Sequence, residues 1–174
     1  MSTALASLIA ACSPLVHPLT MQGLISVESA GNPYAVSINR PATWQGAGVE
    51  LPTFEQPHSA ARASELIEFL HGRGFTTSIG LAQINSENLK GWQLPLSALL
   101  NPCINLYLAQ QVLIHCDAST SVLGRSAPAM HLHAVLSCFN SGNATTGIRN
   151  GYARRVQHAA WMLSNRNPNR STAR

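Results

Sequence analysis

The chain has 174 residues, of which 45% are apolar and only 10% charged, and its formal net charge is +4. That length suits one domain with a real core, and the apolar, charge-poor composition excludes a largely disordered chain. No apolar run reaches the roughly 20 residues needed to span a bilayer, which excludes a transmembrane segment in this chain.

Leu5, Leu8, Ile9 and Cys12 recur at helical spacing and predict a first helix over about 3–12. No Lys or Arg precedes this apolar stretch, so it reads as the first helix of a mature protein rather than a secretory signal. Pro14 and Pro18 mark a connector, and Pro18 or Thr20 opens a second helix. In that helix Met21, Leu24, Ile25 and Glu28 share one otherwise apolar face, and Gly31 and Pro33 end it. Glu28 is therefore expected in the last helical turn, pointing inward. Desolvation, and to a smaller extent the negative end of the helix dipole, would hold its proton on towards neutral pH. That is the state a general acid requires.

Residues 34–57 lack helical period, and Tyr34–Ile38 and Val49–Phe54 read as short strands or extended loop. Ser59–His71 predicts a helix with Ala63, Leu66, Ile67 and Leu70 inward and Glu65 and Glu68 outward. Phe75–Asn85 begins strand-like around a central Gly80, Ser86–Lys90 predicts a helical turn, and Pro95 and Pro102 bracket another. Asn101 and Pro102 form an N-cap and first-turn pair for a helix running to about Cys116, with Ile104, Leu108 and Val112 inward. A polar linker is expected over 117–127. Pro128–Phe139 predicts the next helix, closed by Asn140, Ser141 and Gly142, and after a Gly- and Thr-rich loop Tyr152–Leu163 predicts the last. The fold class is mainly α (α+β), with a small irregular or β-containing insertion over residues 34–80 expected to form one wall of a cleft beside Glu28. Residues 1–165 are expected to make a single domain and 166–174 a basic, flexible tail.

The carboxylates are Glu28, Glu50, Glu55, Glu65, Glu68, Glu87 and Asp117. Ordinary glycoside hydrolysis needs two flanking the bond, and Glu50, Glu55 and Glu87 have no local context that marks a partner for Glu28. A mechanism using one carboxylate, with the sugar supplying the second group, fits better. His131 and His133 lie on different helical faces and cannot pair, so no metal site or cofactor is expected. Trp44 lies in the insertion, where it either stacks on sugar or packs in the core. After Asp117 no acidic residue follows, whereas Arg125, Arg149, Arg154, Arg155, Arg166, Arg170 and Arg174 do. This asymmetry admits an anionic partner, but no motif supports nucleic acid. The four cysteines, Cys12, Cys103, Cys116 and Cys138, are compatible with two disulfides in an oxidising compartment. Cys103 and Cys116 would stand about 20 Å apart on one helix, beyond the roughly 7 Å a bridge allows. Two pairings stay open: Cys12–Cys103 with Cys116–Cys138, or Cys12–Cys116 with Cys103–Cys138.

Several ordered motifs carry a resemblance. They are Glu28-Ser29 followed by Asn32-Pro33 and Ala35-Val36-Ser37, then Gly80-Leu81-Ala82-Gln83-Ile84-Asn85, then Asn101-Pro102-Cys103-Ile104-Asn105-Leu106. Ser137-Cys138-Phe139-Asn140-Ser141-Gly142-Asn143 and Asn150-Gly151-Tyr152 with Arg154-Arg155-Val156 complete the series. In these the chain resembles the goose-type-lysozyme-like lytic transglycosylases, especially the small ones attached to type IV secretion systems. The resemblance implies a lysozyme-like helical domain that cleaves the β-1,4 bond between N-acetylmuramic acid and N-acetylglucosamine in peptidoglycan. Glu28 would be acid and then base, the product a 1,6-anhydro sugar. Ser37 would hydrogen-bond the acetamido group, and Gln83, Asn140 and Tyr152 would contact the glycan. The implied location is the periplasm, with the export signal outside this chain, and the implied partners are peptidoglycan strands and an envelope-spanning secretion or conjugation machine. The alternatives are a lysozyme-type hydrolase on the same fold and a weakly catalytic glycan-binding assembly factor. Ala82 stands where the family usually has Met, which predicts a wider subsite, and Phe139 stands where it has Tyr, which removes a hydroxyl.

Overall fold

A computed structural model describes residues 3–39, 51–124 and 127–165. Trp44, Glu50, Arg125 and the basic tail from Arg166 lie outside the described residues. Helices dominate. In chain order the elements are α1 (Thr3–Cys12), α2 (Pro18–Glu28), β1 (Val36–Asn39), α3 (Ala60–His71), β2 (Thr76–Ile79) and β3 (Ile84–Asn85). Short 3-10 helices follow at Ser86–Gly91 and Leu96–Leu100, then α4 (Pro102–Gly124), α5 (Pro128–Ser141), α6 (Thr146–Arg149) and α7 (Tyr152–Asn165). Among the described residues no helix is long and apolar enough to cross a membrane. The chain divides into two compact units, one made of Met1–Val27 with Leu106–Arg174 and the other of Glu28–Asn105.

In the first unit the core is helical. Met21, Leu24 and Ile25 of α2 are buried, as their spacing predicts, with Ile9 from α1, Leu106, Ala109 and Leu113 from α4, Leu136 from α5 and Val156 from α7. Gly23 lies on the same helix because a Cβ there would stand 2.5 Å from the Val156 carbonyl oxygen of α7. The absence of a side chain is what lets the two helices approach so closely. α5, α6 and α7 pack on one another. Ser137 is wholly buried at that junction, its Oγ donating to Asn143 O (2.8 Å) and accepting from Gly147 N–H (2.8 Å). Gly142 closes α5 as expected, in the left-handed conformation (φ 72°).

α4 departs from the expectation in two ways. It continues past Cys116 to Gly124, through the stretch read as a polar linker. Ser119 and Thr120 return their hydroxyls to Cys116 O (2.9 and 2.8 Å), so groups that normally compete for the backbone are satisfied inside the helix. Its buried positions are Asn105, Leu106, Leu108, Ala109, Gln110, Leu113, Cys116 and Thr120 among the described residues, while Ile104 and Val112 are only half-buried. α6 was also not expected; Asn143 Oδ1 organises its start by accepting from Thr145 and Thr146 N–H (3.1 and 2.9 Å). All four cysteines are disulfide-bonded, and Cys116 pairs with Cys138, which removes the alternative containing Cys12–Cys116.

In the second unit β1, β2 and β3 form an antiparallel sheet in that order, with Val36 opposite Ile79, Ser37 opposite Ser78, and Ile79 opposite Ile84. α3 packs on β1 and β2 through Ala63, Ile67 and Leu70, opened by the Ser59 cap on Arg62 N–H (3.3 Å). Glu65 and Glu68 face outward as expected, and Glu65 pairs with Arg62 at 2.7 Å. The segment 51–57 has no regular structure but is anchored to the sheet. Gln56 accepts from Val36 N–H (3.0 Å) and donates to Val36 O (2.9 Å), supplying β1 with the bonds of a neighbouring strand.

Candidate functional site

Glu28 is the last residue of α2 and is half-buried. The chain turns sharply behind it through Ala30 (φ 51°) and Gly31 (φ 86°). Ser29 fixes that turn: its Oγ accepts from Gly31 N–H (3.2 Å) and donates to Leu81 O (2.8 Å). Asn32 extends it, Oδ1 accepting from Tyr34 N–H (2.9 Å) and Nδ2 donating to Pro57 O (3.0 Å). The end of the Glu28 helix is thus tied directly to the Gly80–Gln83 turn between β2 and β3.

That turn is built with unusual backbone. Gly80 and Gln83 are both left-handed (φ 81° and 49°), a conformation rare for a residue with a side chain. Three sets of bonds hold it. Gly80 N–H donates to Ala35 O (2.8 Å) and Gln83 N–H to Gly80 O (3.1 Å). Asn105, wholly buried, accepts from Ala82 N–H (2.8 Å) and donates to Ile79 O (2.8 Å) and Leu99 O (3.0 Å). Gln83 Nε2 donates to Ala35 O (3.0 Å) and Gly80 O (3.1 Å). The remaining end of that carboxamide, Oε1, accepts from Ser37 Oγ (2.8 Å). Ser37 is exposed on β1 and Gln83 is half-buried. Two of the residues singled out by sequence are therefore in direct contact, in the same unit as Glu28. Gln83 ties down its own turn and orients Ser37 at once.

Asn140 and Tyr152 belong to the other unit. Asn140 is exposed in the last turn of α5, and its Oδ1 accepts from Asn150 Nδ2 (3.3 Å). Asn150 in turn accepts from Tyr152 N–H (2.9 Å) at the start of α7. The Tyr152 side chain is only 3% exposed, with the Arg155 guanidinium 5.9 Å from its ring centroid. Arg155 also donates to Asn150 O (3.0 Å). Ala82 is completely buried and Phe139 half-buried. Of the other carboxylates considered, Glu55 and Glu87 are exposed. His131 faces Asp117 (3.5 Å) and His133 faces Gln157 (2.9 Å), so the two histidines do not share a partner.

Asn105 and Gln56 were not singled out by sequence as site residues, although they position the turn and the strand that carry Gln83 and Ser37. A polar residue in the first turn of a helix reads as solvent-facing, and Gln56 lies in a segment with no periodicity. The one signal for Asn105 was its place in the Asn101–Leu106 motif.

Residues 7–162 match the family described as the transglycosylase SLT domain. The chain is 31% identical over 138 residues to the type IV secretion system protein virB1 of Brucella abortus, covering 79% of this chain and 54% of that protein. The corresponding protein of Brucella suis gives the same figures. Protein virB1 of Agrobacterium fabrum is 31% identical over 154 residues, 87% of this chain and 57% of that one. The chain therefore spans a little more than half the length of these relatives. No solved structure matches it.

Proposed function

The chain belongs to the transglycosylase SLT domain family, and on that premise we propose that it is a peptidoglycan lytic transglycosylase with Glu28 as its catalytic acid and base. The observation that carries this reading is the hydrogen-bonded assembly in which Ser29 ties the end of the Glu28 helix to the turn that carries Gln83, which bonds Ser37 on β1. A rigid polar surface of this kind, set beside a half-buried carboxyl group, suits a hydroxyl- and amide-rich glycan.

Glu28 protonates the oxygen of the β-1,4 bond between N-acetylmuramic acid and N-acetylglucosamine, and the bond to the anomeric carbon breaks. The acetamido carbonyl oxygen of the same muramyl residue stabilises the cation that develops. Glu28, now a carboxylate, takes the proton of the muramyl 6-hydroxyl, whose oxygen attacks the anomeric carbon. One carboxyl group is used twice and no water is consumed. Ser37, oriented by Gln83, holds the acetamido group, and the resemblance also assigns glycan contacts to Gln83, Asn140 and Tyr152. The names of the relatives support a type IV secretion role; in this reading the protein opens the wall locally for such a machine and works in the periplasm.

The test is digestion of purified peptidoglycan by the wild type beside Glu28→Gln. Loss of general acid and base catalysis predicts a fall of about 10²–10⁴-fold in released muropeptides. Equal release by the variant removes Glu28 from the mechanism.

A further inference from the structure

The last helix, α7, has two unlike sides. Tyr152, Ala153 and Val156 are buried, and a Cβ on Gly23 of α2 would meet both the Val156 carbonyl oxygen and the side chain of Ala160, so this side packs on the core. Arg154, Arg155, His158, Trp161 and Met162 fall on the other side at helical spacing, and each is exposed. Trp161 is 58% exposed, and its ring stacks on His158 with centroids 6.0 Å apart, which holds the indole in place at the surface. α5 runs antiparallel beside this face. Asn140 near its end bonds Asn150 just before α7, and His133, earlier in α5, bonds Gln157 (2.9 Å). A further turn back, Met130 comes level with the turn that carries Trp161, and it is 64% exposed. The face therefore has a basic end at Arg154 and Arg155 and an apolar end at Trp161, Met162 and Met130. No carboxylate stands on α5, α6 or α7. The one carboxylate of this unit, Asp117, lies on α4 beside His131 (3.5 Å).

We propose that this outer face binds the surface of an anionic lipid bilayer, with Arg154 and Arg155 on headgroup phosphates and Trp161, Met162 and Met130 dipped among the upper acyl chains. A helix with a basic and apolar outer face lies in a membrane surface rather than across it, and no described helix is long and apolar enough to cross one. An indole suits that depth, since its ring is apolar and its N–H reaches the headgroups. The guanidinium fork matches phosphate oxygens in pairs. A folded protein partner would need a cavity shaped for Trp161 and Met130 and carboxylates set opposite both arginines. A bilayer needs neither, because acyl chains accept any apolar shape and headgroups move to the charge. This binding goes beyond glycan cleavage and does not depend on it. Tyr152 lies on the opposite, buried side of α7, so an occupied outer face leaves it where it is.

The experiment sediments the full chain with vesicles of phosphatidylglycerol and phosphatidylcholine in equal parts, and with phosphatidylcholine vesicles alone. The expected result is binding to the mixed vesicles and none to the neutral ones. That binding should weaken as salt rises, since the attraction is screened beyond about 8 Å at physiological ionic strength. Arg154→Gln and Arg155→Gln should each weaken it about fivefold, and Trp161→Ala about tenfold. These side chains are exposed, so the variants should melt at the wild-type temperature. Lipids brominated on their acyl chains should quench tryptophan fluorescence in the wild type, and Trp161→Phe, which keeps an apolar ring, should bind the vesicles but lose that quenching. No sedimentation with the mixed vesicles at low salt overturns the inference. Affinity unchanged by Trp161→Ala combined with Arg154→Gln does so too, as does quenching that survives Trp161→Phe. A dimer that Trp161→Ala dissolves, or an acidic protein held by this face in the absence of lipid binding, would assign the face to another occupant and equally overturn it.

Discussion

A methyl group at Gly80 has nowhere to go. It would overlap Asn105 Nδ2 and approach Leu99 O to 2.7 Å, on a backbone already at φ 81°. Gly80→Ala is expected to cost about 2–4 kcal/mol, the sum of an overpacked contact and a strained left-handed residue, read as a lower midpoint in urea unfolding. Gly31 makes a useful contrast, since its φ is 86° but nothing lies within 4 Å of its Cβ position. Gly31→Ala is expected to cost only about 1 kcal/mol, from backbone strain alone. Equal costs at the two sites would show that packing around Asn105 contributes nothing. The direction of the helix face that carries Glu28 was legible: Met21, Leu24 and Ile25, which share it, are buried. The half-exposed state of Glu28 was not, because a spacing pattern gives direction and not depth.

The Gly80–Gln83 turn is the element on which the proposed site depends, and Asn105 satisfies three of its neighbouring backbone groups from inside. Asn105→Ala would leave Ala82 N–H and the Ile79 and Leu99 carbonyls without that partner in a buried place. The expected loss is about 3 kcal/mol, measured by chemical unfolding. If the variant unfolds at the wild-type midpoint, the turn does not depend on Asn105. Helix periodicity could not have found this residue. It assigns inward positions by apolar character, so it chose Ile104, Leu108 and Val112 and passed over a polar side chain that is wholly buried. The same blindness shortened α4, because Ser119 and Thr120 read as linker until their hydroxyls are seen to return to Cys116 O. Elements with strong apolar stripes and clear caps, such as α2, α3 and α5, were legible almost to the residue. The left-handed backbone of Gln83 was not, since nothing local to a Gln demands it.

At the scale of the whole molecule, covalent links supplement a core poor in charge. The Cys116–Cys138 bridge joins α4 to α5 across a sequence separation of 22. Replacing both residues with Ala is expected to remove about 3 kcal/mol through the freed unfolded chain, seen as a melting temperature lower by about 6–12 °C. An unchanged melting temperature would mean that the bridge adds nothing to the packing of α4 and α5. Composition and cysteine count suggested two disulfides but could not choose their pairing, because pairing depends on how helices are placed and not on how residues are spaced. The family was legible only through motifs taken in order. Individually Ser37, Gln83 and Asn140 are ordinary polar residues, and what distinguishes Ser37 and Gln83 is the bond between them. The claim that joins these levels is that Glu28 acts twice and the substrate's own hydroxyl replaces water. Peptidoglycan digested in isotopically labelled water, with the fragments weighed, tests it most directly. The account predicts muropeptides lighter by one water than hydrolytic products and free of label at the new sugar end; hydrolytic fragments carrying the label would contradict it.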